Sequence, residues 1–557
     1  MAPMAEPKSP NLPRRVAGVT VPLFSLRTAR SWGIGEIGDL PAFAQWMRDA
    51  GLRVVQLLPL GEISGGETSP YAALTAFGID PIYISLADVA DLGNDAQEAL
   101  DRARLVRAPA MVSGPGDSAY AQLARARESR TVDYAAVRNL KQHALRAAFG
   151  RFYEGEVLRG TPRAAAFRAF TQQNEGWLAD YALFRALKDA HTGVAWWDFR
   201  PDLRDRKPKA LAEVRVSLAR EVLYHQYTQW IAHTQWYDAR ARLRAVGVEI
   251  MGDLPFMVGR DSADVWANQG EFRDDASVGA PPDAFNEDGQ DWGLPPYDWR
   301  VMRANDFAWL RRRCRYTASL YDRFRIDHLI GFYRTYMRSH DKRVDERGKL
   351  RPGFFDPSEE AMQLDHGEHV LTAMLEASRE GGAQLIAEDL GVIPPWVRRS
   401  LAKLGVPGYK VLIWEKDHVS GKEVFRDPSA YPYVSLACFG THDTSAVATW
   451  WEGLGAEERA AVKALPQLAP HAADLGEAFT PAVHRALLDL LNGSASELVL
   501  FLIQDLLGTK DRINTPATIG AHNWTYRLPA TVDEMRADPA VFKLTETMRK
   551  SVEKAGR

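Results

Sequence analysis

Short runs of apolar residues recur along this chain, and most of them end in a polar or charged side chain. They occupy residues 16–21, 54–58, 248–251, 324–326, 384–387, 411–414, 434–439 and 498–503. Within them the apolar character is nearly continuous rather than alternating, as expected of strands covered on both faces. Helical patterns separate many of them. Asp39-Leu40-Pro41 opens one helix with an acidic cap and a first-turn proline, and Phe43, Trp46 and Met47 supply its apolar face. Another is predicted over 211–246, with Leu223, Tyr227, Trp230, Ile231 and Tyr237 on or near one stripe. Residues 364–380 and 477–491 read as ordinary amphipathic helices. Eight strands with intervening helices predict a (β/α)8 barrel; alternation alone leaves a doubly wound open sheet as the alternative.

The connections are unequal. Segments 60–209, 254–300 and 329–364 far exceed ordinary βα loops and are expected to be insertions on the C-terminal rim, where active sites of this fold lie. Residues 1–13 read as a flexible tail and 14–557 as one catalytic barrel. Gly33-Ile34-Gly35-Glu36-Ile37-Gly38 matches a dinucleotide fingerprint letter for letter. A polar loop precedes it where a strand is required, and Gly-Asp follows where a helix should start, so no nucleotide site is expected there.

Composition narrows the function. With 69 basic and 72 acidic residues among 557, the net charge of −3 argues against nucleic acid as a partner, and Arg311-Arg312-Arg313 reads as a solvated helix face. Two cysteines, Cys314 and Cys438, exclude a disulfide scaffold and suit a reducing compartment. The first thirteen residues have no apolar core of a secretory signal, and no stretch approaches the roughly 20 apolar residues that span a bilayer. The expectation is a soluble, cytoplasmic protein with no membrane partner. His328 and His442 stand singly, without metal-ligand spacing, and no calcium loop occurs; no metal and no cofactor are expected. Of the 16 tryptophans most are expected in the core; Trp196-Trp197 and Trp450-Trp451 each suggest one inward and one rim residue, and Trp292 lies in a Gly/Pro-rich loop.

The chemistry sits at the strand ends. Asp253 follows Glu249-Ile250-Met251-Gly252, and Glu388 and Asp389 follow Leu385-Ile386-Ala387. His442 and Asp443 follow Phe439-Gly440-Thr441. In Phe324-Arg325-Ile326-Asp327-His328, alternation puts Arg325 and Asp327 on one face, the barrel interior. A carboxylate beside a guanidinium stays ionised and nucleophilic, while a second in a drier setting keeps its proton and acts as acid. Retaining glycosidases need both, about 5–5.5 Å apart across the scissile bond. Structural ion pairs would explain any one strand end; four at once point to catalysis.

These motifs resemble the amylomaltases, the 4-α-glucanotransferases (disproportionating enzymes) of glycoside hydrolase family 77, related to the α-amylases. The resemblance runs from about Gly18 to about Leu528 and rests on Ser69-Pro70-Tyr71, Gly252-Asp253-Leu254-Pro255, Asp261-Ser262-Ala263-Asp264-Val265-Trp266 and the loop from Pro281 to Gly293. It rests also on Phe324 to His328, Ala387 to Gly391, Gly440-Thr441-His442-Asp443 and Asn523-Trp524. It implies a retaining transferase with Asp327 as nucleophile, Glu388 as acid/base and Asp443 as transition-state stabiliser. It also implies sugar contacts from Ser69, Tyr71, Asp253, Asp283, Phe285, Gln290, Trp292, Arg325, His442 and Asn523. Maltooligosaccharides and starch- or glycogen-type α-glucans would be the substrates, and no separate C-terminal β-domain is implied. Two segments depart from the family: Asp443 is followed by Thr444-Ser445-Ala446 rather than Asn-Asp-Thr, and 511–518 differs from the usual Asn-Pro-Gly approach to Asn-Trp. A hydrolase with the same carboxylates, or a silent glucan-binding protein, is the competing reading; a binding module has no use for nucleophile and acid together.

Overall fold

The computed structural model describes residues 15–92, 119–282 and 287–557, apart from 343, 347, 350, 420, 517, 519 and 521. The expected tail, 1–13, lies outside the described residues, as do Asp283 and Phe285. In chain order the strands are β1 (Val16–Thr20), β2 (Val54–Gln56), β3 (Glu249–Leu254), β4 (Ala276–Ala280), β5 (Gln290–Leu294), β6 (Arg323–Ile326) and β7 (Thr335–Ser339). There follow β8 (Phe354–Asp356), β9 (Gln384–Ala387), β10 (Gly408–Val411), β11 (Lys416–Val419), β12 (Lys422–Phe425), β13 (Ser435–Cys438) and β14 (Leu498–Leu502).

Eight of them close a barrel in the order β1-β14-β13-β10-β9-β6-β3-β2, every neighbouring pair parallel. The near-continuous apolar runs follow from double burial. Val16, Val54, Met251, Ile386, Leu436, Cys438, Leu498 and Leu500 fill the lumen. The alternate residues Ala17, Val19, Val55, Ile250, Ala437, Val499 and Phe501 pack outward under the helices. Burying each large aliphatic side chain here contributes about 1.5–3 kcal/mol. Glycine at 252 is required by packing: a Cβ there would lie 2.3 Å from the Tyr321 ring.

One strand is displaced from its predicted place. The run 411–414 contributes only Val411 to β10, because the N–H groups of Trp414 and Glu415 turn back onto the Val411 carbonyl at 2.9 and 3.0 Å. The apolar residues after Val411 serve packing and the rim rather than pairing: Leu412 is buried, whereas Trp414 is 52% exposed.

The rim insertions are mostly helical. The first holds the helices Ala119–Glu128, Tyr134–Phe152, Pro162–Gln173 and Glu175–Ala190. The single helix predicted over 211–246 is two, Pro208–Ser217 and Ala219–Ala245, broken at Leu218. The break lets two faces serve two cores: Leu211, Val214, Leu218 and Val222 join the cluster around Tyr181 and Trp266, while Tyr227, Ile231, Trp236 and Leu243 join the larger cluster that runs under the barrel. Tyr237 falls off the predicted stripe and is 39% exposed. The other two insertions pool their chain into a four-stranded antiparallel sheet, β5-β4-β7-β8, an arrangement local periodicity cannot reveal. Among the described residues no strand follows β14, and no helix is long and apolar enough to cross a membrane. The segment Gly33 to Gly38 is loop and a short 3-10 turn with no strand before it. Both cysteines are buried, and burial pushes the Cys314 thiol up to about 12. Trp451 is wholly buried and Trp450 only partly so.

Candidate active site

β3 and β6 are neighbours in the barrel, and their register sets Asp253 opposite Arg325. The two side chains meet at the top of the lumen. Arg325 Nη1 donates to both oxygens of Asp253, at 2.9 and 2.8 Å, and Nη2 donates to Asp327 Oδ1 at 2.7 Å. The Asp253 side chain is fully buried, whereas that of Asp327 is 27% exposed and faces the cleft. Removal from water works against the Arg325 charge, but Asp253 and Asp327 more than reverse it and hold the guanidinium cationic. Tyr71 reaches the same cluster from the first insertion. Its hydroxyl donates to Asp253 Oδ2 at 2.7 Å and lies 3.1 Å from His442 Nε2. Burial, reinforced by Asp253, raises the Tyr71 phenol well above its ordinary value, so it remains a donor.

Glu388 follows β9 and, among the described residues, has no direct hydrogen bond to a cationic side chain. Its Oε2 accepts the His328 N–H at 2.7 Å and its Oε1 the Leu390 N–H at 3.2 Å. Desolvation pushes its carboxyl up to about 8, with Arg325 opposing and the charge of Asp327 adding to the rise. His328 aims its N–H from a left-handed backbone, φ 45°, a conformation that costs about 1–3 kcal/mol and persists where surroundings enforce it. Burial pushes the His328 imidazole down to about 4, so it is neutral at pH 7. Its ring meets Trp292 edge-on, with centroids 4.9 Å apart.

Asp443 closes the third side. Its Oδ1 accepts Asn514 Nδ2 at 2.6 Å, and its Oδ2 lies 3.3 Å from His442 Nε2. His442 stacks on Tyr71 with centroids 5.6 Å apart, and Trp524 lies 5.7 Å from both rings.

These groups surround one open cleft of about 680 Å³. Of the residues singled out in the sequence, Tyr71, Gln290, Trp292, Arg325, Asp327, Glu388, His442 and Asp443 line it, and Asp253 lies beneath them. Gln290 and Trp292 are alternate residues of β5, linked by Trp292 Nε1 donating to Gln290 Oε1 at 2.9 Å. Ser69 and Asn523 are not on the cleft wall. Ser69 Oγ accepts the Tyr71 N–H at 3.4 Å, bracing the turn that presents the tyrosine. Asn523 turns its amide onto its own loop: Oδ1 accepts the Thr515 N–H at 2.9 Å and Nδ2 donates to the Thr518 carbonyl at 2.9 Å. His328, Trp414, Asn514 and Trp524 also line the cleft. Trp524 was within reach through the Asn523-Trp524 motif; Asn514 carried no local signal, because its partner is 71 residues away.

Among the described residues Asp189, Glu221 and His225 form a group of possible metal ligands. Arg146 already pairs with both carboxylates, and that guanidinium opposes a divalent cation there.

A barrel with convergent carboxylates at its strand ends, one bound to a guanidinium and one pushed up by burial, is the arrangement expected of a glycoside-cleaving enzyme. A family profile described as 4-alpha-glucanotransferase (glycoside hydrolase family 77) matches residues 21–532. The 4-alpha-glucanotransferase of Thermus thermophilus is 33% identical over 513 residues, covering 89% of this chain and 92% of its own. That of Synechocystis sp. is 32% identical over 527 residues, covering 93% and 94%. Amylomaltase from Streptococcus agalactiae, solved in complex with acarbose, superposes with a TM-score of 0.78 at 26% identity, over 98% of this chain and 99% of its own. The chain belongs to the 4-alpha-glucanotransferase family, the amylomaltases of glycoside hydrolase family 77, and is a glucanotransferase.

Proposed function

We propose that this cleft transfers α-1,4-glucanyl units between maltooligosaccharides or starch- and glycogen-type glucans by double displacement, with Asp327, Glu388 and Asp443 as the working carboxylates. The observation that carries the assignment is the contrast between two neighbours: Asp327 receives a guanidinium hydrogen bond, whereas Glu388 is held only by backbone N–H groups and keeps its proton up to about pH 8. In the first step the Asp327 carboxylate attacks the anomeric carbon of the donor, the glycosidic C–O bond breaks, and Glu388 gives its proton to the departing 4-oxygen. A glucosyl ester on Asp327 results. In the second, Glu388 takes the proton of an acceptor 4-hydroxyl, whose oxygen attacks the anomeric carbon and expels Asp327. Two inversions retain the α configuration. Asp443 and Tyr71 contact the sugar whose charge develops between these steps; His442 touches both, and Arg325 holds Asp327 together with Asp253, the acceptor of the Tyr71 hydroxyl. Gln290 and Trp292 on β5 overhang the cleft and favour a bound sugar hydroxyl over water at the ester.

Incubation with maltotriose alone tests the reaction. A ladder of longer and shorter oligosaccharides is expected; glucose and maltose alone mean that water takes the second step, and no change means binding only. Glu388→Gln with a donor carrying an excellent leaving group should accumulate a sugar adduct on Asp327, seen by intact-protein mass spectrometry. An adduct on another residue overturns the assignment of nucleophile.

A further inference from the structure

The turn after Asp443 and the segment around Asn514 touch each other across the cleft wall. Arg512 spans the gap. Its Nη2 donates to the Asp443 carbonyl at 2.7 Å, its Nε to the Asn514 carbonyl at 2.7 Å, and its Nη1 lies 3.5 Å from Ser445 Oγ. The Asn514 N–H donates to the His442 carbonyl at 3.2 Å, and the Asn514 amide donates to Asp443 Oδ1 at 2.6 Å. Thr444 closes the turn from within, accepting the Thr441 N–H at 3.1 Å and donating to the Thr441 carbonyl at 3.0 Å.

We propose that Asn514 and Arg512 are positioning residues for Asp443: the amide fixes the rotation of the carboxylate, and the guanidinium locks together the two loops that carry carboxylate and amide. This rests on the role assigned to Asp443 above. The physical case is one of freedom removed. The Asp443 side chain is 38% exposed, so water competes for its oxygens, and on a loop it has several rotamers. His442 alone, at 3.3 Å from Oδ2, constrains one oxygen. Asn514, itself only 8% exposed, supplies the second constraint from a backbone already pinned to His442. A planar fork suits Arg512 because two carbonyl oxygens on different loops must be reached at once, which an ammonium cannot do with the same geometry. A carboxylate misplaced by about 1 Å at a developing charge loses on the order of 100-fold in rate.

Six variants test this on a donor with a good leaving group and on maltotriose: Asp443→Asn, Asn514→Ala, their double mutant, Asn514→Asp, Arg512→Gln and Arg512→Lys. Asn514→Ala is expected to lower kcat about 100-fold while KM moves less than about threefold. The double mutant is expected to be no slower than Asp443→Asn, because the amide acts through the carboxylate. Arg512→Gln and Arg512→Lys are each expected to lose about tenfold in kcat. Asn514→Asp retains the volume should the alanine variant fold poorly. It sets one carboxyl against another, so one of them holds a proton at low pH and donates, and loses it as pH rises. Its activity relative to wild type should therefore climb from about pH 8 to about pH 5. A double mutant slower by the full product of the single losses, a rise in KM at unchanged kcat, or a pH-independent ratio overturns the clamp. If Asp443→Asn keeps wild-type activity, the role given to Asp443 falls and the clamp with it. If that variant is inactive and Asn514→Ala is not impaired, the clamp alone falls.

Discussion

Glu36 and Glu388 are both glutamates whose carboxyls are pushed up by removal from water, to about 7 and about 8. Their surroundings differ. Glu36 lies in the loop between β1 and the helix Leu40–Asp49, 1% exposed, with Nζ of Lys141 from the first insertion 2.6 Å from its Oε1 and the Trp32 N–H 3.0 Å away. Lys141 spends its remaining donors on the Ile82 and Ile84 carbonyls, at 2.6 and 2.8 Å. The Lys141 ammonium is thus met by acceptors of its own cluster. Glu388 instead stands on the wall of the cleft with Asp327, 27% exposed, beside it. A perturbed carboxyl is therefore no sign of catalysis by itself. What distinguishes Glu388 is that its lone pairs face space a glycosidic oxygen can enter, next to a second carboxylate that a guanidinium orients.

Substitutions in the two clusters should therefore fail in different ways. The largest effect is expected from Asp327→Asn: glucan transfer falls by at least about a thousandfold while the fold survives, because covalent catalysis has no second route. Maltotriose turnover checks it, and a variant keeping a tenth of wild-type activity erases the contrast. Next comes Lys141→Met, which strands Glu36 and should cost about 3–5 kcal/mol of stability. Chemical denaturation measures that loss; specific activity of the folded fraction should be unchanged. Smaller again is Trp292→Ala, expected to raise glucose release relative to chain transfer by about three- to tenfold. Separate quantification of glucose and elongated products decides it; an unchanged ratio makes β5 a mere support.

The smallest effects come from the proton on Glu388. Its carboxyl is raised, so the acid form needed for donor cleavage persists to about pH 8, and kcat/KM should fall above that pH. With an activated donor, Glu388→Gln should lack this alkaline fall. The sign for stability follows from the same shift. The contribution of Glu388 is fully present below the unfolded value, near about 4.3, and is lost as pH rises through about 8. Glu388→Gln should thus raise Tm by about a degree or two at pH 8 and leave it unchanged near pH 4. Equal shifts at both pH values would mean that Glu388 carries no buried-charge penalty.

Much of this was legible from residues alone. Strands buried on both faces must be apolar at every position, so the eight barrel runs stood out, and a period of two then placed Arg325 and Asp327 on one face; that Asp253 faces Arg325 came from the register of β3 and β6. Carboxylates ending such strands point at substrate wherever the barrel closes. Other features depended on contacts between distant segments, which local periodicity does not encode. The early end of β10, the break at Leu218 and the sheet pooled from two insertions each answer to packing partners far along the chain. Ser69 and Asn523 could be found as motif members, yet whether their polar atoms meet sugar or their own loop is decided by backbone geometry. Asn514 and Trp524 enter the cleft only because they meet His442 and Asp443 in the loop that follows β13. A strand's side-chain direction is set by chirality and pleat and can be read in the sequence; a loop's direction is set by what it packs against, and only the tertiary structure supplies that.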